Sequence, residues 1–313
     1  MANIKELKNR IGSVQNTRKI TNAMYLISSA KMRRAKEGLE KTRPYFESTE
    51  YEIKRIFQSS SDIDSVYFYP PEDENGKAKP AEEKVYAYLV ITADRGLAGA
   101  YNSNVIKLAE AELKRRKISR LYVIGDYGRR YFKKHKRPMV EAFYYTAQDP
   151  TFPRAREIAA KLLEEYDSGN VDEIRVIYSN MENDRENTVR KVRLLPFSRR
   201  DFLEKKGIRD FSDRSYRFEP SPKVVLERMI PSYVAGFVYG AMVDSFCAEQ
   251  SARMNAMSNA NKNAEELLGE LKIEYNRVRQ AGITQEITEV SAGARAQRKK
   301  RKKKENASEE AER

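Results

Sequence analysis

The sequence has little of the side-chain chemistry from which catalytic and metal sites are built. Its 313 residues include one cysteine, one histidine and no tryptophan. A single cysteine excludes an internal disulfide, and one cysteine with one histidine cannot form the His/Cys clusters that bind zinc. The histidine, His135, lies in the basic run KKHKRP, so no Ser-His-Asp triad is expected. We therefore predict no His/Cys metal site and no histidine-based catalytic triad.

Long apolar runs are also missing. The longest uncharged run, MIPSYVAGFVYGAMV, has 15 residues and contains Pro231, whereas a membrane-spanning helix needs about 20 apolar residues. Neither a membrane span nor a secretory signal is expected. Gly236 and Gly240 in this run have a GxxxG spacing. In a chain without a membrane span, we interpret these glycines as sites where a neighbouring helix approaches closely.

Charge is plentiful and unevenly placed. Charged residues make up 34% of the chain, and 11 of the 14 net positive charges fall in residues 1–55 and 298–313. An acidic partner should therefore meet the ends of the chain. The run RKKRKKK at 298–304 has no apolar residue to bury, so we expect a disordered tail over 298–313. Weak contacts of this tail with anions remain open.

Both ends of the chain have the pattern of long helices. Apolar residues recur every three or four positions, at Ile4, Leu7, Ile11 and Val14. This stripe predicts a coiled-coil helix over 1–58. A second helix is predicted over 219–297, where Pro231 is the one proline after the first turns. Sixty helical residues span about 90 Å, so this helix must project, and the first helix is its natural partner in an antiparallel coiled coil.

Between these helices the pattern changes to alternating strands and helices. A linker over 59–83 contains the proline-rich stretch PPEDENGKAKPAEEK. Strands are predicted at KVYAYLVIT, RLYVIGD, DEIRVIYSN and NTVRKVRLLPF, PMVEAFYY is a further candidate, and PRAREIAAKLLEEYDSG predicts a helix. The alternation is typical of a Rossmann-like α/β domain with a largely parallel sheet, inserted over 84–218.

One loop in this domain raises the question of nucleotide binding. ITADRGLAGAYN, at 91–102, is a strand, a glycine-bearing turn and a helix. It has the GxxG spacing of Gly96 and Gly99 but neither GxGxxG nor GxxxxGK[ST]. A plain strand-to-helix turn is favoured. A nucleotide-dependent enzyme that uses the α/β domain remains the alternative, and a nucleic-acid-binding protein that uses the basic ends is a third hypothesis.

The two ends of the sequence resemble the gamma subunit of F-type ATP synthases. IGSVQNTRKITNAMYLISSAKMRRA, at 11–35, is similar to the opening helix of that family. ITQEITEVSAGARA, at 283–296, fits the family signature [IV]-T-x-E-x-x-[DE]-x-x-x-[GN]-A-x-[SAKRGP] at every fixed position. DRGLAGAYN, AEQSARMNAM and YNRVRQAGITQE resemble further family stretches. The match is weaker over 135–218.

The resemblance implies a rotor subunit that has no catalytic residue, no metal site and no cofactor of its own. Its terminal helices would turn inside a ring of three alpha and three beta subunits, and its α/β domain would lie near the epsilon subunit and the membrane c-ring. Rotation would couple ion flow to nucleotide affinity in the beta subunits, and ATP hydrolysis would drive the reverse. The chain would be peripheral, at the cytoplasmic face of a bacterial cell membrane and attached through the complex alone, without specific nucleic acid. The tail over 298–313 is a candidate contact with the delta subunit.

The resemblance also implies which residues contact the ring. Met24 lies where the family meets the lever loops of beta. Polar contacts with ring subunits are implied for Arg253, Arg279 and Gln280, and a similar role on the signature helix for Thr284, Glu286, Thr288 and Glu289. The other interpretation is that each residue is solvated or packs in the coiled coil. That interpretation is favoured for Met24, whereas a contact role is favoured for Arg279 and Gln280.

Overall fold

A computed structural model of the chain describes residues 4–60, 63–68, 82–116, 118–140, 143–183, 186–203 and 217–311. Two long helices enclose a mixed α/β region in the sequence. The elements, in chain order, are α1 (Ile4–Ser59), β1 (Tyr86–Ile91), α2 (Tyr101–Arg115), β2 (Ser119–Ile124), α3 (Asp126–Lys134), α4 (Phe152–Asp167), β3 (Glu173–Asn183), β4 (Glu186–Leu195), α5 (Arg199–Leu203) and α6 (Pro222–Ala311). None of the helices in the described ranges contains an apolar stretch long enough to cross a bilayer.

The four strands form one sheet in the order β2-β1-β3-β4. β1 is parallel to both β2 and β3, and β4 is antiparallel to β3. The prediction of an α/β fold with a largely parallel sheet is confirmed. The candidate strand PMVEAFYY was wrong for its described residues, which form no strand. Their backbone meets β2 at the Val140 N–H on Leu121 O and at a bridge from Tyr145 to Ile124. The aromatic pattern that favoured a strand instead reflects Phe143 packing on Tyr122.

Side chains cover both faces of the sheet, which is typical of parallel sheets. Alternate β1 residues, Ala87, Leu89 and Ile91, join a core that also includes residues of α1, α4 and α6. The others, Tyr86, Tyr88 and Val90, pack with Val105 and Ala109 of α2 and Phe132 of α3. The continuous apolar run of β1 therefore reports burial on two sides.

The chain divides into two compact units, residues 1–24 with 257–313, and residues 25–256. This division differs from the predicted one, in which both long helices separate from the α/β domain. The reason is that parts of both helices belong to the α/β core. Ile53 and Ile56 of α1 and Val234 of α6 are fully buried in the same cluster as β1 and α4.

Within each unit α1 and α6 run antiparallel, as predicted. In residues 25–256 the contacts are Tyr233 with Glu50, Gly236 with Phe46, and Cys247 with Met32. In the other unit they are Thr21 with Asn261, Arg18 with Glu265, and Ile4 with Gly282. In both series the residue number rises along α6 as it falls along α1.

The predicted linker is partly outside the described residues, at 61–62 and 69–81. Its described part packs on the α/β core, since Ile63 and Phe68 are buried and Phe68 forms a bridge with Phe197. Residues 204–216, in the predicted α/β domain, also lie outside the described ranges.

The predicted disordered tail has a helical backbone as far as Ala311. No proline or glycine follows Gly293, and lysine, arginine, glutamate and alanine all favour helix. Charge repulsion in the basic run argued for disorder, but the sequence contains no residue that ends the helix.

Candidate functional site

The last part of α6 carries an exposed apolar stripe. Ile283, Ile287 and Val290 are spaced i, i+4 and i+7, so they lie on one face of the helix. Their exposed fractions are 44%, 63% and 73%. Earlier on α6, Leu268 and Leu271 are buried. The stripe is therefore apolar surface that the described part of the chain leaves uncovered.

Four of the predicted contact residues border this stripe. At about 100° per residue, Arg279 and Glu286 lie on one side of it, and Gln280 and Thr284 lie on the other. All four are exposed. The Thr284 hydroxyl donates to the Gln280 carbonyl at 2.9 Å, while Arg279 and Glu286 form no ion pair with the described residues. An apolar centre with a polar rim is the usual anatomy of a protein–protein interface.

Thr288 and Glu289 are exposed but lie on other faces of the helix, each roughly 130° from the centre of the stripe. The Thr288 hydroxyl donates to the Thr284 carbonyl at 2.7 Å. Glu289 accepts a hydrogen bond of 3.0 Å from the Gln285 amide. The structure therefore brings Arg279, Gln280 and two of the signature residues into one patch and leaves the other two signature residues outside it.

Met24 is half-buried on α1. After the interruption QNTRK, the sequence has a second apolar series of Ile20, Met24 and Ile27, which is shifted in phase from the series of Leu7. Ile20, one turn before Met24, is exposed. The shift in phase of that series was the sequence signal for this exposure, because residues that follow the interruption no longer continue the buried stripe of Leu7.

Arg253 lies inside the unit of residues 25–256, with 9% of its surface exposed. Its Nη2 atom donates to Glu249 Oε1 at 2.5 Å and to the Gly96 carbonyl at 3.1 Å. Burial raises the pKa of the Glu249 carboxyl, and the Arg253 guanidinium opposes that rise. Arg253 thus joins α6 to the loop after β1, whereas the resemblance implied a partner-facing role.

The loop after β1 is fixed at the carboxyl edge of the sheet by its own polar groups. The Asp94 carboxylate accepts hydrogen bonds of 3.0–3.2 Å from the N–H groups of Asp126, Ala147 and Gln148. Asp126 is the first residue of α3, and a helix N-terminus at this edge is where nucleotide phosphates bind in α/β folds. A carboxylate already occupies that amide, so the geometry disfavours the nucleotide-dependent enzyme.

One of the two glycines in this loop adopts the left-handed conformation. Gly99 adopts a positive φ of 53°, as a tight turn requires, but no positive φ is recorded for Gly96. Leu97 adopts a φ of 62° and is 65% exposed. A left-handed conformation costs a non-glycine residue about 1–2 kcal/mol. The loop therefore presents an exposed apolar side chain on a strained backbone.

We expect Arg253→Met to loosen this loop. The change leaves Glu249 buried without its cation, and removing one partner of a buried pair typically costs about 3–5 kcal/mol. Thermal unfolding and hydrogen–deuterium exchange of the amides at 96–100 would measure the effect. Arg279→Met, an exposed arginine on the same helix, is the matched control. Equal exchange in the two variants would contradict the assignment of Arg253 to the loop.

Comparisons with known proteins agree over nearly the whole chain. The ATP synthase family model matches residues 3–297. The ATP synthase gamma chain of Acetivibrio thermocellus is 40% identical over 300 residues, which cover 95% of this chain and 99% of that one. The sodium-ion-specific ATP synthase gamma chain of Acetobacterium woodii is 35% identical, with 94% and 98% covered.

Solved structures show the same fold at lower identity. A chain of the Euglena gracilis mitochondrial ATP synthase structure (OSCP/F1/c-ring, rotational state 3) gives a TM-score of 0.61 at 18% identity, with 94% of each chain covered. The central stalk/c-ring structure from Tetrahymena thermophila gives a TM-score of 0.55 at 23% identity. The family model and the full-length relatives together show that this chain belongs to the ATP synthase gamma chain family.

Proposed function

We propose that the chain is the central-stalk rotor subunit of an F-type ATP synthase. It has no catalytic role of its own, and it couples rotation of the c-ring to conformational change in the catalytic beta subunits, with the reverse in ATP hydrolysis. The observation that carries this proposal is the exposed stripe of Ile283, Ile287 and Val290 with its polar rim. The stripe falls in the segment that fits the gamma signature, and relatives of nearly the same length are named gamma chains.

The coupling follows from the fact that the patch occupies one face of one helix. In a ring of three equivalent beta subunits, such a patch meets one at a time, so the three are biased differently at each rotor angle. A bias toward one conformation changes nucleotide affinity by the difference in contact free energy between conformations. Exposed ion pairs at the rim would each contribute about 0–1 kcal/mol, which is weak enough for contacts to exchange as the rotor turns.

The partners that fit this role are the alpha and beta subunits around the shaft, and the epsilon subunit and c-ring near the α/β domain. Membrane association would arise through the complex, at the cytoplasmic face of a bacterial cell membrane. The helical backbone of α6 reaches Ala311, beyond the signature segment. This length supports a contact of the tail over 298–313 with the delta subunit.

Co-expression with alpha and beta subunits tests the proposal. We expect the three to purify as one complex with a single copy of this chain and with ATPase activity, while the chain alone hydrolyses no ATP. Alpha and beta subunits expressed without the chain are the control. Failure of the chain to enter the complex would contradict the rotor function, and nucleotide binding by the chain alone would favour the enzyme hypothesis.

A further inference from the structure

A groove of about 770 Å³ lies on the surface of the α/β region between α2 and α3. On the α2 side it is lined by Ser103, Lys107 and Lys114, which share one helix face by their spacing of i, i+4 and i+11. On the α3 side Tyr127, Tyr131 and His135 follow one another every four residues, so they also share a face. Lysines on one side of the groove thus oppose rings on the other.

The groove has positive charge that the chain does not neutralise. Lys107 and Lys114 are exposed and form neither a hydrogen bond nor an ion pair with the described residues. The one acid in the lining, Glu110, is paired with Arg137 at 2.8 Å. Of the six lysines and arginines in residues 127–137, Arg129 and Arg130 pair with Asp126. The described residues form no ion pair with Lys133, Lys134 or Lys136. Such a concentration of one charge attracts anions and leaves the unpaired lysines available to a partner.

The rings limit what kind of anion fits. Tyr131 stacks on His135 with ring centroids 4.0 Å apart, and the imidazole Nδ1 lies 2.8 Å from the Tyr131 carbonyl. One face of the Tyr131 ring is therefore covered, which disfavours the base stacking used to bind single-stranded nucleic acid. Tyr127, which is 39% exposed, gives the groove apolar surface, which suits a partner with apolar side chains as well as acids.

We propose that this groove binds an acidic amphipathic helix of another protein. Lys107 and Lys114 are seven residues apart, about 10.5 Å along α2. Carboxylates two turns apart on a partner helix have the same spacing, and the apolar residues between them would face Tyr127. This is the groove mode by which many amphipathic helices are recognised. The inference does not depend on the rotor function, because it uses no residue of the α6 patch.

The test uses the full chain in its complex with alpha and beta subunits. The probe is a fluorescent helical peptide about 14 residues long, four turns, with glutamates seven apart and leucines between them. We expect Lys107→Glu with Lys114→Glu to weaken its binding at least about tenfold, since each change replaces attraction by repulsion. Arg156→Glu with Lys161→Glu, on exposed positions of α4, alters net charge equally and should leave binding unchanged.

A further variant separates the apolar contribution from the charge. Tyr127→Ala should weaken peptide binding while leaving its dependence on salt unaltered. Binding that is equal in the parent and in the Lys107/Lys114 variant overturns the proposal, as does equal binding of a peptide whose leucines are replaced by serine. Preferential binding of an oligothymidylate or of phosphatidylserine vesicles to the same groove also overturns it, in favour of nucleic acid or lipid.

Discussion

Replacing Ile287 by aspartate should weaken assembly of the chain with alpha and beta subunits by about 100-fold or more. Ile287 is the middle residue of the exposed stripe, so in the complex we expect its side chain to be buried. Burying an unpaired carboxylate there costs several kcal/mol, and the apolar contact of the isoleucine is lost as well. A loss of about 3 kcal/mol corresponds to about two orders of magnitude in affinity. Competition between variant and parent chains for limiting alpha and beta subunits measures it.

The matched control is Ala292→Asp, which introduces the same charge on the opposite face of the same exposed stretch. Both substitutions lower helix propensity. A larger loss of assembly in Ile287→Asp than in Ala292→Asp would therefore arise from the face of the helix that is changed and not from loss of helical structure. Ile287→Leu should assemble like the parent. Normal assembly of Ile287→Asp would show that the stripe is not the coupling surface, and a defect in Ala292→Asp alone would move that surface to the other face.

The sequence located this segment of α6 but did not show which face of the helix carries the exposed apolar stripe. The signature marks 283–296, and its fixed positions include Thr284, Glu286 and Glu289, whereas Ile287 falls at a free position. The described part of α1 starts at Ile4, which lies against Gly282. The described residues of α1 therefore leave the stripe on α6 uncovered. A pattern on one helix cannot show which residues of its partner lie opposite.

Arg253 shows that contacts between residues far apart in the sequence could not be predicted from local patterns. Helical periodicity predicts its pairing with Glu249, four residues earlier, but its second partner is the carbonyl of Gly96 on another element. No local pattern connects residues that lie 157 positions apart. The strands β1 and β2 were predictable because their burial appears as the continuous apolar runs YAYLVI and LYVI. The same reasoning failed at 138–145, where aromatic residues pack singly without a strand ladder.

Gly236→Ala should destabilise the unit of residues 25–256 by about 2–3 kcal/mol, in the upper part of the usual range for forcing an extra methyl group into a packed core. A Cβ at this position would overlap the ring of Phe46 on α1. That ring has little room to withdraw, because it packs against Phe152 at 5.5 Å and Tyr239 at 6.4 Å. The gain of about 1 kcal/mol in helix propensity is too small to offset the overlap.

Gly240→Ala provides the control within the same GxxxG spacing. A Cβ there would meet no described atom within 4 Å, so the helix-propensity gain is unopposed and stability should rise by up to about 1 kcal/mol. The two identical substitutions, four residues apart, are thus expected to change the free energy of unfolding in opposite directions. Urea unfolding of the assembled chain measures both changes. Combining Gly236→Ala with Phe46→Leu should recover part of the stability that Gly236→Ala loses. If both substitutions change the free energy of unfolding in the same direction, the close approach of α1 and α6 at Gly236 does not explain the GxxxG spacing. Backbone flexibility of the helix would then be the explanation.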